Sequence, residues 1–97
     1  MRALFGGGGG PVHWRDIPEP QIEGSLDLLV RPLAIALCDL DVPYITNVLP
    51  TGDPYPIGHE FTGEVVAVGD GVRRFAPGDR VMVPFQISCG GCNRCRA

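Results

Sequence analysis

No lysine occurs among the 97 residues; all eight basic side chains are arginine, against eleven acidic ones. That usage reads as the codon bias of a GC-rich genome rather than as chemistry. The formal charge of −3 gives no basic face to draw the chain to a phosphate backbone or an anionic membrane, so neither nucleic acid nor membrane is expected as a partner. No run approaches the roughly 20 apolar residues of a membrane helix, and the N-terminus lacks the basic, apolar and small-residue succession of a secretory leader. A cytoplasmic location is the default expectation. The length allows one small domain and leaves no room for a second, nucleotide-binding one. No internal repeat or linker interrupts it.

What is present is apolar enough to collapse, at 44% hydrophobic and 20% charged residues, and too weakly charged for a disordered tail. Fourteen glycines and ten prolines, about a quarter of the chain, disfavour long helices and predict an all-β fold of short strands joined by turns. Residues 2–5 and 12–17 read as a hairpin around Gly6-Gly7-Gly8-Gly9-Gly10-Pro11. That glycine run lacks the following helix of a dinucleotide fingerprint, so it predicts a loose turn rather than a phosphate cradle. Residues 26–37 predict a mostly buried strand, with a bend or bulge at Pro32. Residues 39–46 suit a short helical turn limited by Pro43, and residues 47–56 a loop. Residues 64–68 and 79–85 read as strands, the second preceded by the turn Pro77-Gly78.

The four cysteines divide as one and three: Cys38 alone, then Cys89, Cys92 and Cys95. Two residues between successive thiols, with Gly90-Gly91 allowing a tight turn, let sulfurs converge on one ion, whereas disulfide scaffolds spread their partners along the chain. A closed structural zinc site takes four ligands, so the fourth must come from elsewhere. A reactive thiol cluster, or a four-thiolate site of rubredoxin or zinc-ribbon type completed by Cys38, stays open beside it. Cys38 and His59 are a thiolate and an imidazole of the kind that three-ligand catalytic zinc sites use. Asp41 could accept from the imidazole N–H of His59 and fix its tautomer. A structural histidine and a solvated helix-start aspartate are the alternatives, and His13 beside Trp14 takes only the structural reading.

Four strings decide between these readings: residues 31–41, Gly58-His59-Glu60-Phe61-Thr62-Gly63-Glu64-Val65, residues 69–81 with Pro77-Gly78-Asp79-Arg80-Val81, and Cys89-Gly90-Gly91-Cys92-Asn93-Arg94-Cys95. In order and spacing, over nearly the whole chain, they resemble the zinc-containing medium-chain alcohol dehydrogenase family. The resemblance implies a GroES-like, partly open β-barrel over residues 1–97, with 88–97 as the start of the structural zinc lobe. It implies Cys38 and His59 as catalytic-zinc ligands, Glu60 as a carboxylate that can approach or transiently ligate that metal, and Asp41 as the acid behind them. It implies Cys89, Cys92 and Cys95 as three of the four structural-zinc ligands. The fourth cysteine is expected beyond Ala97, and the third protein ligand to the catalytic zinc further still. NAD or NADP is expected on a separate Rossmann domain, the substrate is a small alcohol or the matching aldehyde or ketone, and the intact enzyme is expected to be a homo-oligomer. The isolated chain is expected to be inactive, with residues 88–97 mobile or metal-free. A free-standing, non-enzymatic GroES-like module that binds zinc or a protein partner is the alternative function.

One position departs from that family. Cys38-Asp39-Leu40-Asp41 puts leucine where the family usually carries the serine or threonine that starts a proton relay, so another group or a water must take the proton. Residues 83–88 lean toward the sorbitol, threonine and formaldehyde dehydrogenase-like branches.

Overall fold

The computed structural model describes residues 1–86, 88–89 and 91–97. Ile87, within the segment 83–88, and Gly90, one half of the expected Gly90-Gly91 turn, lie outside the described residues. Strands and turns dominate, as the glycine and proline content predicts. In chain order the elements are β1 (Arg2–Gly6), β2 (His13–Asp16), β3 (Leu28–Ile35), α1 (Asp41–Ile45), β4 (Tyr55–Pro56), β5 (Phe61–Val68), β6 (Arg80–Val83) and α2 (Asn93–Arg96). Among the described residues, no helix is long and apolar enough to cross a membrane.

The strands form two antiparallel sheets, ordered β2-β1-β4 and β3-β5-β6. The hairpin pairs Arg2 with Asp16 through Phe5 with His13, and the glycine run turns the chain between them. Mutual backbone bonds between Met1 and Ile17 extend the ladder by one rung. On its other edge β1 meets β4, with Phe5 opposite Pro56 and Gly6 opposite Tyr55. The end of the expected loop 47–56 is therefore a strand. Its proline is tolerated because an edge strand can leave one ladder position without a donor.

In the second sheet, the bend expected at Pro32 appears as a break in register between Pro32 and Ala34, with another between Leu29 and Val30. Gly63 faces Pro32 across the ladder. A Cβ at Gly63 would sit 2.8 Å from the Arg31 carbonyl oxygen and against Val30, so the close approach of β3 and β5 depends on glycine there. Val65, one position beyond Glu64, is fully buried. Its N–H donates to Asp79 O at 2.9 Å and its carbonyl accepts from Gly78 N at 2.8 Å, which docks the Pro77-Gly78 turn onto β5. Across β3 and β5, Arg31 and Glu64 form an exposed ion pair at 2.9 Å.

Phe5 and Val65 are the buried apolar side chains among the described residues. The expectation of a mostly buried strand over 26–37 is corrected accordingly: β3 is half-buried to Val30 and exposed from Arg31 onward, and Leu37 beyond it is 74% exposed. Among the described residues only β5 flanks this strand, and no second layer covers its outer half.

Replacing Gly63 by alanine should lower unfolding stability by about 1–3 kcal/mol through overpacking between the two strands. Gly10→Ala, where an added Cβ meets nothing within 4 Å, should stay within about 0.5 kcal/mol. Urea unfolding of both variants checks this; equal midpoints would remove the steric account of Gly63.

Candidate metal centre

The end of β3 delivers Cys38 to the start of α1, and local bonds hold it there. The Asp41 N–H donates to Cys38 O at 3.0 Å, while the Cys38 N–H donates to Asp41 Oδ2 at 2.7 Å. Pro43 falls in the first turn of α1, where its missing N–H has no intrahelical acceptor to lose. The helix stops after five residues at Asn47, whose φ of 60° is a left-handed terminating conformation that asparagine tolerates. Leu40 donates its backbone N–H to Cys38 Sγ at 3.4 Å.

His59 arrives from a separate part of the chain. Gly58 immediately before it has a φ of 112°, and a Cβ there would come within 2.9 Å of Ile35 Cγ2. The glycine of Gly58-His59-Glu60 is thus what lets the turn pass β3 and aim the imidazole at Cys38. His59 Nε2 lies 3.4 Å from Cys38 Sγ, and Nδ1 lies 3.2 Å from Asp41 Oδ1. Asp41 is 5% exposed, so its carboxylate meets the Cys38 amide and the imidazole in a largely water-free setting. An acceptor on the Nδ1 side favours the proton there and leaves the Nε2 lone pair facing the thiol.

Ligand atoms of Cys38, Asp41 and His59 all lie within 4.8 Å of one another, and so do those of Cys89, Cys92 and Cys95. These are two separate groups; Cys38 does not complete the cysteine cluster. A tetrahedral zinc ion with ordinary Zn–S and Zn–N lengths separates a sulfur and a nitrogen ligand by about 3.6 Å and two sulfurs by about 3.8 Å. The Cys38–His59 separation of 3.4 Å, and sulfur separations of 3.8 Å for Cys89–Cys95 and 3.4 Å for Cys92–Cys95, match that spacing closely enough for both groups to accept the ion.

The cysteine cluster precedes and enters α2, and all three thiols are exposed. Backbone N–H groups of Gly91 and then Cys92, assisted by the neighbouring thiols, pull the Cys89 thiol down from 9.0 to about 7. The backbone of Cys95, followed by its side chain, lowers Cys92 as well. These donors favour thiolates, the form that binds metal.

Glu60 stands apart from both groups. It borders a hollow with Ala34, Ile35, Phe61 and Met82, while its carbonyl accepts from Ala36 N at 2.9 Å. His13 accepts its structural reading: Nδ1 bonds Pro11 O at 2.8 Å and the ring stacks on Phe5 at 6.4 Å.

Sequence patterns did not reveal a second feature of the centre, an open hollow of about 470 Å³ beside His59. Leu40, Tyr44, Thr51, Asp53, Tyr55 and Phe85 line it together with His59. Phe85 meets His59 edge-on, with ring centres 6.4 Å apart, and Tyr44 and Tyr55 meet edge-on at 6.2 Å. Burial, and then the charge of Asp41 and the neighbouring Tyr44, raise the Tyr55 phenol above its usual range. No periodicity links these residues; Tyr44 stands on α1 and Tyr55 on β4.

Residues 24–97 match the family model for the alcohol dehydrogenase GroES-like domain. The chain is 39% identical over 97 residues to the uncharacterized zinc-type alcohol dehydrogenase-like protein AdhB of Bacillus subtilis (strain 168), covering 99% of this chain and 26% of that protein. It is 41% identical over 92 residues to the L-threonine 3-dehydrogenase of Aeromonas hydrophila subsp. hydrophila, covering 89% of this chain and 26% of that one. The alcohol dehydrogenase TADH from Thermus sp. ATN1 superposes with a TM-score of 0.88 at 37% identity, covering 99% of this chain and 28% of that chain. The chain thus spans about a quarter of the length of these relatives. The mainly β architecture is the GroES-like one expected from the motifs. On the match of three quarters of its residues, and on relatives that align along nearly its whole length, the chain belongs to the zinc-type medium-chain alcohol dehydrogenase family.

Proposed function

We propose that the chain is the metal-holding part of the catalytic domain of a zinc- and NAD(P)-dependent oxidoreductase that transfers a hydride between a small alcohol and the matching aldehyde or ketone. The observation that carries this reading is the approach of Cys38 Sγ to His59 Nε2 at 3.4 Å with the Asp41 carboxylate behind the imidazole. The chemistry that zinc supplies when bound there is Lewis-acid polarisation of the substrate oxygen.

Each residue has a task of its own. Cys38 and His59 hold the ion. Asp41 keeps the proton on Nδ1 and supports Cys38 through its amide. The Leu40 backbone N–H donates to Cys38 Sγ, while its side chain neither gives nor takes a proton. Glu60 reaches the ion only by leaving the hollow beside Met82. Cys89, Cys92 and Cys95 hold a second, structural zinc. The nicotinamide cofactor belongs to a part of the enzyme outside these residues, and the whole enzyme is a cytoplasmic homo-oligomer.

Competitive zinc titration tests the first group. Asp41→Asn should weaken that site by about 10- to 100-fold, and His59→Ala should abolish it while leaving binding at the cysteine cluster unchanged. Unaltered affinity in both variants would overturn the reading. In the chelator-treated chain, alkylation of Cys89 by iodoacetamide should be half-maximal near pH 7, because the thiolate fraction rises through the lowered value. A midpoint near 9.0, the ordinary thiol value, would show that the Gly91 and Cys92 donors do not act on it.

A further inference from the structure

Cys89, Cys92 and Cys95 bring three sulfurs together without help from either sheet. Cys92 caps α2 and Cys95 follows three residues on, so the two side chains are neighbours along one face of the helix. The turn before α2 folds Cys89 back, with the Cys92 N–H donating to Cys89 Sγ at 3.4 Å. Cys95 Sγ then lies 3.4 Å from Cys92 Sγ and 3.8 Å from Cys89 Sγ. All three thiols are exposed, and among the described residues no histidine, carboxylate or fourth thiol joins the group.

The separations of the sulfurs discriminate between ions. With a bond to sulfur of about 2.3 Å, a planar three-coordinate ion sets its sulfurs about 4.0 Å apart and a tetrahedral one about 3.8 Å. A pyramidal ion, whose lone pair fills the fourth direction and narrows the angles toward a right angle, sets them about 3.4 Å apart at the same bond length. The two separations in the cluster span the pyramidal and tetrahedral values and fall short of the planar one. Charge points the same way. Three thiolates around divalent zinc leave one negative charge and an open fourth position, whereas around a trivalent ion with a lone pair they balance the charge and complete the shell. Thiolates also favour soft, polarisable ions.

We propose that Cys89, Cys92 and Cys95 form a binding site for trivalent arsenic, held as a pyramidal tris-thiolate that needs no fourth ligand. This goes beyond the zinc reading of the same cluster and does not rest on it. With arsenous acid, three S–H and three As–O bonds break, three As–S bonds form and three waters leave; arsenic stays trivalent and no electrons are transferred. Cys38 takes no part, because its partners are an imidazole and a carboxylate and it offers a single sulfur. Arsenic and zinc therefore compete for the cluster and not for the Cys38–His59 group.

The test titrates the reduced, chelator-treated 97-residue chain with sodium arsenite, read by intact mass, by sulfur-to-arsenic charge-transfer absorption and by counting the thiols that still react with a disulfide reagent. The mass should rise by one arsenic less three hydrogens, and reactive thiols should fall from four to one. Cys38→Ser should leave uptake unchanged. Cys89→Ser, Cys92→Ser and Cys95→Ser, each of which removes one arm of the chelate, should weaken it by about 100-fold or more. Adding zinc first should raise the arsenite needed in proportion to the zinc affinity of the cluster. No arsenic adduct, a loss of only two thiols, a mass loss of two hydrogens from disulfide closure, or uptake abolished by Cys38→Ser overturns the proposal. If zinc does not compete while arsenite still consumes three thiols, the structural-zinc reading falls and the arsenic site stands.

Discussion

The Asp41 carboxylate is the constraint on which the centre depends. An ionised carboxylate removed from water costs several kcal/mol unless its oxygens find partners. Here one oxygen takes the Cys38 amide and the other faces His59 Nδ1. Those contacts join three segments far apart in sequence or conformation: the end of β3, the first turn of α1 and the left-handed turn at Gly58. Removing any one partner leaves the carboxylate short of compensation, so the requirement to satisfy Asp41 also fixes where the thiol and the imidazole meet. The close pass of Gly58 over Ile35 belongs to the same solution, because the histidine turn reaches α1 only by crossing β3.

The two candidate metal groups are assembled in different ways. Cys38 and His59 are 21 residues apart, so their approach exists only when β3 and β5 are paired. Cys89 and Cys95 are only six positions apart, and the geometry of their cluster comes from a local turn in which a backbone N–H points at sulfur. The local group also acidifies its own thiols through those donors. In the tertiary group the control is exerted instead through a buried carboxylate and the histidine tautomer. Loss of sheet pairing therefore dissolves the first group directly and touches the second only indirectly.

The same division explains what the sequence could disclose. The hairpin, the bulge at Pro32, the helical turn and the strand around Val65 were legible because glycine, proline and β-branched residues act locally. Burial of residues 26–37 was misread because an apolar run states that a strand can be covered, not that a second layer covers it. Tyr55 and Pro56 carried no strand pattern; they pair because β1 offers an open edge. His59 and Glu60 read as one motif, yet the imidazole approaches Cys38 while Glu60 borders the hollow beside Met82. The wall of Leu40, Tyr44, Tyr55 and Phe85 was invisible for the same reason as the β1–β4 contact, since both arise from long-range pairing without periodicity.

Leu40 brings the chemical consequences together. Leucine presents methyl groups and carries no exchangeable proton, so at this position it adds to the wall of the hollow and takes no part in a relay. Cys38 and Asp41 on either side of it do not depend on that choice, because their mutual bonds run through the backbone and the carboxylate rather than through the side chain at 40. The holding geometry is therefore independent of the side chain at 40. Under the proposed reading, the substrate proton must leave through water or through a group elsewhere in the enzyme.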